Sequence, residues 1–147
     1  MEWPMSADGL TDADIRALLG SIRRIALVGA SSKPTRPSHG VMRFLLRHGY
    51  QVVPVNPGMA GQDIHGQRVV ASLAEAGAVD MVDVFREPSA TPEIAREAVA
   101  IAAKALWLQL GVVNDEAARI AREAGLVFVQ DRCPAIEIPR LGIAPVA

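Results

Sequence analysis

The sequence contains one cysteine, few aromatic residues and no long hydrophobic run. A single thiol, Cys133, excludes an internal disulfide framework and fits a reducing compartment. With two tryptophans, one tyrosine and three phenylalanines, the core has to be built from Ala, Val, Leu and Ile. No apolar run approaches the ~18–20 residues that cross a bilayer. Charge of one sign is missing too. Fifteen Lys and Arg against sixteen Asp and Glu leave a net charge of −1, which offers no footprint for nucleic acid or an anionic membrane. The start, Met1-Glu2-Trp3-Pro4, has neither the basic nor the apolar region of a signal peptide, so a cytoplasmic location is expected. His39, His48 and His65 all lie far from Cys133 in the chain, and no ligand spacing points to a metal.

What is present is an alternation of β-branched runs and amphipathic stretches. After an irregular start over residues 1–10, Thr11-Asp12-Ala13-Asp14 has capping-box spacing and opens a helix burying Ile15, Leu18 and Leu19, ended by Gly20. Strands are expected at Ile25–Val28, Gln51–Val55, Met81–Phe85, Ala105–Gln109 and Leu126–Val129. Pro54 has no N–H to give a ladder, which places the second strand at or near an edge. Between strands, helices start at Ser38, Ser72, Thr91 and Asn114, with a short strand pair around Ile64 and Val69. Asp83 inside an apolar strand is expected to bond a backbone N–H or an arginine.

This alternation specifies parallel βαβ units with right-handed crossovers. The expected fold is an α/β, Rossmann-like three-layer sandwich around a mainly parallel five-stranded sheet of order 3-2-1-4-5. One domain is expected over 1–147, with an N-terminal helix and extension over 1–21 and a mostly irregular tail over 131–147.

In such sheets, ligands sit outside the carboxyl ends of the strands. That edge collects Gly29 to Ser38, Asn56-Pro57, Phe85-Arg86-Glu87 and Gln109-Leu110-Gly111. The first loop is not a dinucleotide fingerprint. Ser31 and Pro34 occupy the places of the second and third glycines, and Asn56 stands where an acidic residue would grip a ribose. Nor is it a P-loop, because no G-K-[ST] follows a glycine at the required spacing. Lys33 and Arg36, with hydroxyls from Ser31, Ser32 and Ser38, suit a ligand carrying several phosphates.

Five blocks in order, V-G-A-S-S-K-P-T-R-P-S-H-G, V-P-V-N-P-G, V-D-V-F-R, W-L-Q-L-G-V and D-R-C-P-A-I-E, carry a resemblance. Together they resemble the small stand-alone CoA-binding proteins related to the CoA-binding domain of the succinyl-CoA synthetase α subunit. The resemblance spans about Ile22 to Leu141. It implies coenzyme A at the carboxyl edge, its pyrophosphate wrapped by Gly29, Ala30, Ser31, Ser32 and Lys33, with Ser38 capping the helix that faces it. Lys33 or Arg36 would neutralise the pyrophosphate or the 3′-phosphate. Asn56 and Pro57 would border the adenosine, Phe85 and Arg86 would flank the ligand, and Gln109, Leu110 and Gly111 would lie towards the pantetheine arm.

The larger relatives are ligases that use a histidine of a second domain, and no second domain is expected here. No catalytic residue is assigned. His48 reads as a helix C-terminal cation and His65 as a loop residue, while His39 stands where it could touch the ligand. Cys133, beside Arg132 that could favour its thiolate, reads either as a small buried side chain or as a redox partner of the CoA thiol. The expected function is CoA or acyl-CoA binding without a complete ligase reaction. The alternatives are an NAD(P)- or acyl-CoA-dependent enzyme and an interaction protein that keeps only the fold. No protein partner is identified.

Overall fold

The structure is a computed structural model, and residues 8–146 are described. The expected irregular start therefore lies mostly outside the described residues. In chain order the elements are α1 (Asp12–Ser21), β1 (Arg24–Val28), α2 (Pro37–Arg47), β2 (Gln51–Val55), β3 (Asp63–Ile64), β4 (Gln67–Arg68), α3 (Leu73–Ala76), β5 (Met81–Val84), α4 (Thr91–Ala100), β6 (Ala105–Leu108), α5 (Asp115–Glu123), β7 (Val127–Val129) and α6 (Pro134–Arg140). β3 and β4 form an antiparallel pair. The other five strands make one parallel sheet in the order β2-β1-β5-β6-β7.

The fold class is the expected Rossmann-like α/β sandwich, but the strand order differs from 3-2-1-4-5. Numbered by the five main strands it is 2-1-3-4-5. The third main strand, β5, pairs with β1 instead of lying outside β2. The outer side of β2 is taken by the connection itself: Val55 bridges Val70, and the Val70 N–H donates to Pro54 O at 3.0 Å. With that edge covered, the chain returns to the open side of β1. Pro54 thus sits on an edge strand, as its missing donor requires.

Strand pleating splits the core into two layers. Ile25, Leu27, Met81, Trp107 and Val129 face α1, α2 and α6. Ala26, Val28, Val82, Val84, Leu106, Leu108 and Phe128 face α3, α4 and α5. The second layer meets the sheet through Ala95, Ala98, Ala117, Ala118 and Ala121, whose small side chains let α4 and α5 lie close. Trp107, fully buried, fills the first layer and donates its indole N–H to Arg132 O at 2.8 Å.

Local signals were read correctly where a side chain closes a cap. Thr11 and Asp14 form a reciprocal capping box at α1, Ser72 caps α3 and Asn114 caps α5. Others shift. Gly20 lies inside α1, which runs to Ser21. Arg36 is the N-cap of α2, because Pro37 with its preset φ takes the first helical position, and Ser38 falls within the first turn. Thr91 begins α4 instead of preceding it and donates its hydroxyl to Pro88 O at 2.7 Å. The tail holds α6, which starts on Pro134 and tolerates Pro139 near its end.

Asp83 corrects another expectation. It lies in register between Leu27 and Trp107, is 0% exposed, and neither carboxyl oxygen has a partner. No backbone N–H or arginine reaches it. Burial alone raises its pKa well above the usual carboxylate range, so the group is held neutral. The folded state then binds a proton that the unfolded chain releases, and stability falls as pH rises from the unfolded pKa towards the folded one. Asp83→Asn is expected to be more stable than wild type at pH 7 by about 1–3 kcal/mol, with the difference closing near pH 4. Urea melts at both pH values check this, and an equal difference at the two would refute it.

Candidate active-edge cavity

The carboxyl ends of β1, β2, β5 and β6 open into a cavity of about 780 Å³, within the ~300–1,000 Å³ usual for ligand pockets. Its geometry begins at Gly29. The Gly29 N–H and the Ala30 N–H both donate to Val55 O, at 3.0 and 3.3 Å, and the Phe85 N–H donates to Val28 O at 2.8 Å. These bonds draw the ends of β1, β2 and β5 together. Gly29 has φ +88°, and a Cβ there would stand 2.4 Å from Phe85 O. Only glycine fits the turn.

Asn56 then holds the loop. Its amide donates to Ala30 O at 2.8 Å, and its Oδ1 accepts from the Gly58 N–H at 2.9 Å. Ser31 Oγ accepts from the Lys33 N–H at 3.1 Å, tightening the next turn. The loop delivers the chain to α2, whose first turn borders the cavity through Pro37 and Ser38 and has no side-chain cap. The first turn of this eleven-residue helix brings the positive dipole end to the cavity, although Pro37 has no N–H and the His39 N–H donates to Arg36 O at 3.1 Å.

Lys33, Arg36 and Arg86 line the cavity beside one carboxylate, Glu87. Arg86 holds Glu87 at 3.1 Å, and this hydrogen bond lowers the Glu87 pKa so that it stays charged. Among the described residues no ion pair involves Lys33 or Arg36. The lining therefore carries a positive excess and suits an anion. Inward from this exposed rim, Ala30, Ser38, Gln109 and Cys133 are buried. Gln109 is 7% exposed and its Oε1 has no partner.

Of the residues singled out from the sequence, Gly29, Ala30, Ser31, Lys33, Arg36 and Ser38 line the cavity. So do Asn56, Phe85, Arg86, Gln109, Leu110 and Cys133. Ser32, Pro57 and Gly111 do not. Pro57 starts a 3-10 turn, and Gly111 donates its N–H to Asp131 Oδ1 at 2.8 Å, fastening one loop to another. Glu87, expected at this edge, lines the cavity too, and Val41, Met59 and Val112 join it without having been singled out. Val41 lies on the buried face of α2, and Met59 and Val112 sit in loops without a periodic signal.

Arg132 does not serve Cys133. Its guanidinium grips both Asp8 oxygens at 2.9 and 3.1 Å, bonds Leu10 O, and lies 3.5 Å from Glu137. His39 does not line the cavity either. Its ring packs 4.1 Å from that of His65, which donates Nε2–H to His39 O at 2.9 Å. Desolvation, then the charges of His65 and Arg43, lower its pKa. His48, at the end of α2, donates Nε2–H to Ile143 O at 2.9 Å. Among the described residues no group of three His, Cys, Asp or Glu could hold a metal ion, and no helix is long and apolar enough to cross a membrane.

The geometry is that of a doubly wound α/β sheet with a cavity at its switch point. A family model described as a CoA binding domain matches residues 23–139, and the chain belongs to that family. It is 38% identical over 122 residues to the uncharacterized protein YneT of Bacillus subtilis (strain 168), covering 82% of this chain and 89% of YneT. A solved structure of a hypothetical protein from Pyrococcus horikoshii OT3 matches with TM-score 0.90 and 43% identity, over 96% of this chain and 99% of that one. A structure from Thermus thermophilus matches with TM-score 0.85 and 41% identity, over 90% and 99%. A Rex-family repressor in complex with NADH shares the fold alone, at 14% identity and TM-score 0.55 over 80% of this chain and 58% of that one.

Gly29→Ala is expected to cost at least ~2 kcal/mol, because it adds left-handed strain to a contact with a carbonyl that belongs to the sheet. Thermal unfolding measures it. A variant as stable as wild type would mean that the β1–β5 approach is easily relaxed.

Proposed function

We propose that this chain binds coenzyme A, free or acylated, in the carboxyl-edge cavity, and that it acts as a carrier, sensor or regulatory module without a complete ligase reaction. The observation that carries this reading is the polarity of the cavity. Exposed cations and an uncapped helix start line it together with the buried, unpartnered Oε1 of Gln109. Coenzyme A has matching chemistry, with phosphates at one end and amide N–H donors along the pantetheine arm. Family membership supports the same ligand.

In this reading the loop from Gly29 to Lys33 and the first turn of α2 border the pyrophosphate, the N–H groups of Gly29, Ala30 and Lys33 being already bonded within the fold. Lys33, Arg36 and Arg86 share the phosphate charge. Asn56 positions the loop through Ala30 O, and Gln109 accepts from a pantetheine amide. Ser32, Pro57 and Gly111 shape the loops around the site. NAD is disfavoured by Asn56 at the end of β2, where no carboxylate is available for a ribose diol.

A ligand that binds only the native state raises its melting temperature; at a hundredfold excess over Kd the gain is about 2.7 kcal/mol, roughly 5–10 °C for a domain of this size. Coenzyme A and acetyl-CoA are expected to give that shift, and NAD and NADP none. A shift with NAD alone would replace this reading with a dinucleotide site, and no shift with any of them would leave only the fold. Ser31→Leu is expected to abolish the CoA shift while costing the free protein less than ~1 kcal/mol, since it breaks one turn hydrogen bond at a partly exposed position. Unchanged affinity would place the ligand elsewhere.

A further inference from the structure

Cys133 is the chain's one cysteine, it is free, and it follows β7 as the residue that opens α6. It is 6% exposed and packs in the same core layer as Trp107 and Val129, yet it also lines the carboxyl-edge cavity. A thiol used only for packing has no need to border a ligand cavity. The second observation is independent of the thiol. Gln109 lines the same cavity from the end of β6, and its buried Oε1 lacks a hydrogen-bond partner, a cost that a ligand donor would relieve. The exposed cations and the buried amide and thiol line one cavity. A ligand whose phosphates meet the exposed cations and whose thiol reaches the buried part of the lining would bring that thiol towards Cys133.

We propose that Cys133 forms a reversible mixed disulfide with the thiol of bound coenzyme A, so that the chain captures CoA covalently under oxidising conditions. This rests on the CoA reading above. A small oxidant suits a cysteine with so little exposure, and hydrogen peroxide is the one named here. The Cys133 thiolate attacks one peroxide oxygen, the O–O bond breaks, and the departing hydroxide takes up a proton as water, leaving a sulfenic acid. The CoA thiol then attacks the Cys133 sulfur. The S–S bond forms as the S–O bond breaks, and the hydroxide leaves as a second water with the thiol's proton. One peroxide is reduced and two thiols are oxidised to one disulfide. An external thiol reverses the step by exchange.

The bound thiol competes at high effective concentration, so the adduct should form before sulfinic acid does. The test uses the whole chain. Reduced protein is incubated with CoA, treated with one equivalent of peroxide, desalted and weighed intact, with glutathione at the same concentration in a parallel arm. The expected product carries the mass of one CoA less two hydrogens, forms at least ~10-fold more than the glutathione adduct, and reverts with dithiothreitol. Cys133→Ser is expected to form no adduct. A thermal shift with CoA but oxidation only to sulfinic acid, or no change in mass, overturns the disulfide and leaves CoA binding standing. Equal adducts with glutathione overturn it as well, because they mark an ordinary reactive thiol. Absence of the thermal shift itself overturns the CoA reading, and the disulfide falls with it.

Discussion

The approach of Gly29 to the carbonyl of Phe85 is the constraint on which the site depends. No side chain fits between the ends of β1 and β5, so the two strands can stay in register to their last residues. The Val55 carbonyl, taking two N–H groups from Gly29 and Ala30, ties β2 to the same point. Three strand ends are thereby gathered, and the loop that follows has one way out, across the top of the sheet to Pro37. The turn that results requires no particular side chain beyond the absence of one.

The two faces of the sheet play different parts. The face towards α3, α4 and α5 is mostly apolar and alanine-lined, with Arg24 at the start of β1 its polar member, bonding Ala76 O at 3.2 Å. The opposite face carries polar exceptions nearer the cavity. Asp83 stands between Leu27 and Trp107, and the next residues on that face along the same strands are Gly29, Phe85 and Gln109. The unpartnered groups of this face therefore sit beneath and beside the cavity. A fully buried neutral carboxyl costs stability, and the protein carries that cost in the layer next to its candidate site, where departures from ideal packing are tolerated when the rest of the core is sound.

Most of the fold was legible in the sequence because it rests on local chemistry. Thr11, Ser72 and Asn114 cap the helices they precede, and the β-branched runs mark the strands. The strand order was not legible, because pairing of β5 with β1 depends on how residues 56–80 cover the β2 edge, which periodicity does not encode. Pro54 did carry part of that information. The loop residues of the cavity could be found because each follows a strand directly. Val41 and Met59 could not, since an apolar residue facing a cavity has the same spacing as one facing the core. The fate of Arg132 was hidden for another reason: its partner, Asp8, lies 124 residues away.

That separation has a consequence for how the protein is made. Synthesis proceeds from the N-terminus, so Asp8 leaves the ribosome long before Arg132 exists. Until β7 and α6 follow, α1 has neither the Arg132 clasp nor the Arg140 contact to Asp12, at 2.8 Å, to hold it against the sheet. Cys133 arrives in the same late stretch. The strand ends that gather at Gly29, and Lys33 and Arg36 of the first loop, precede it in the chain, so the lining of the cavity is whole only once this last stretch has been made.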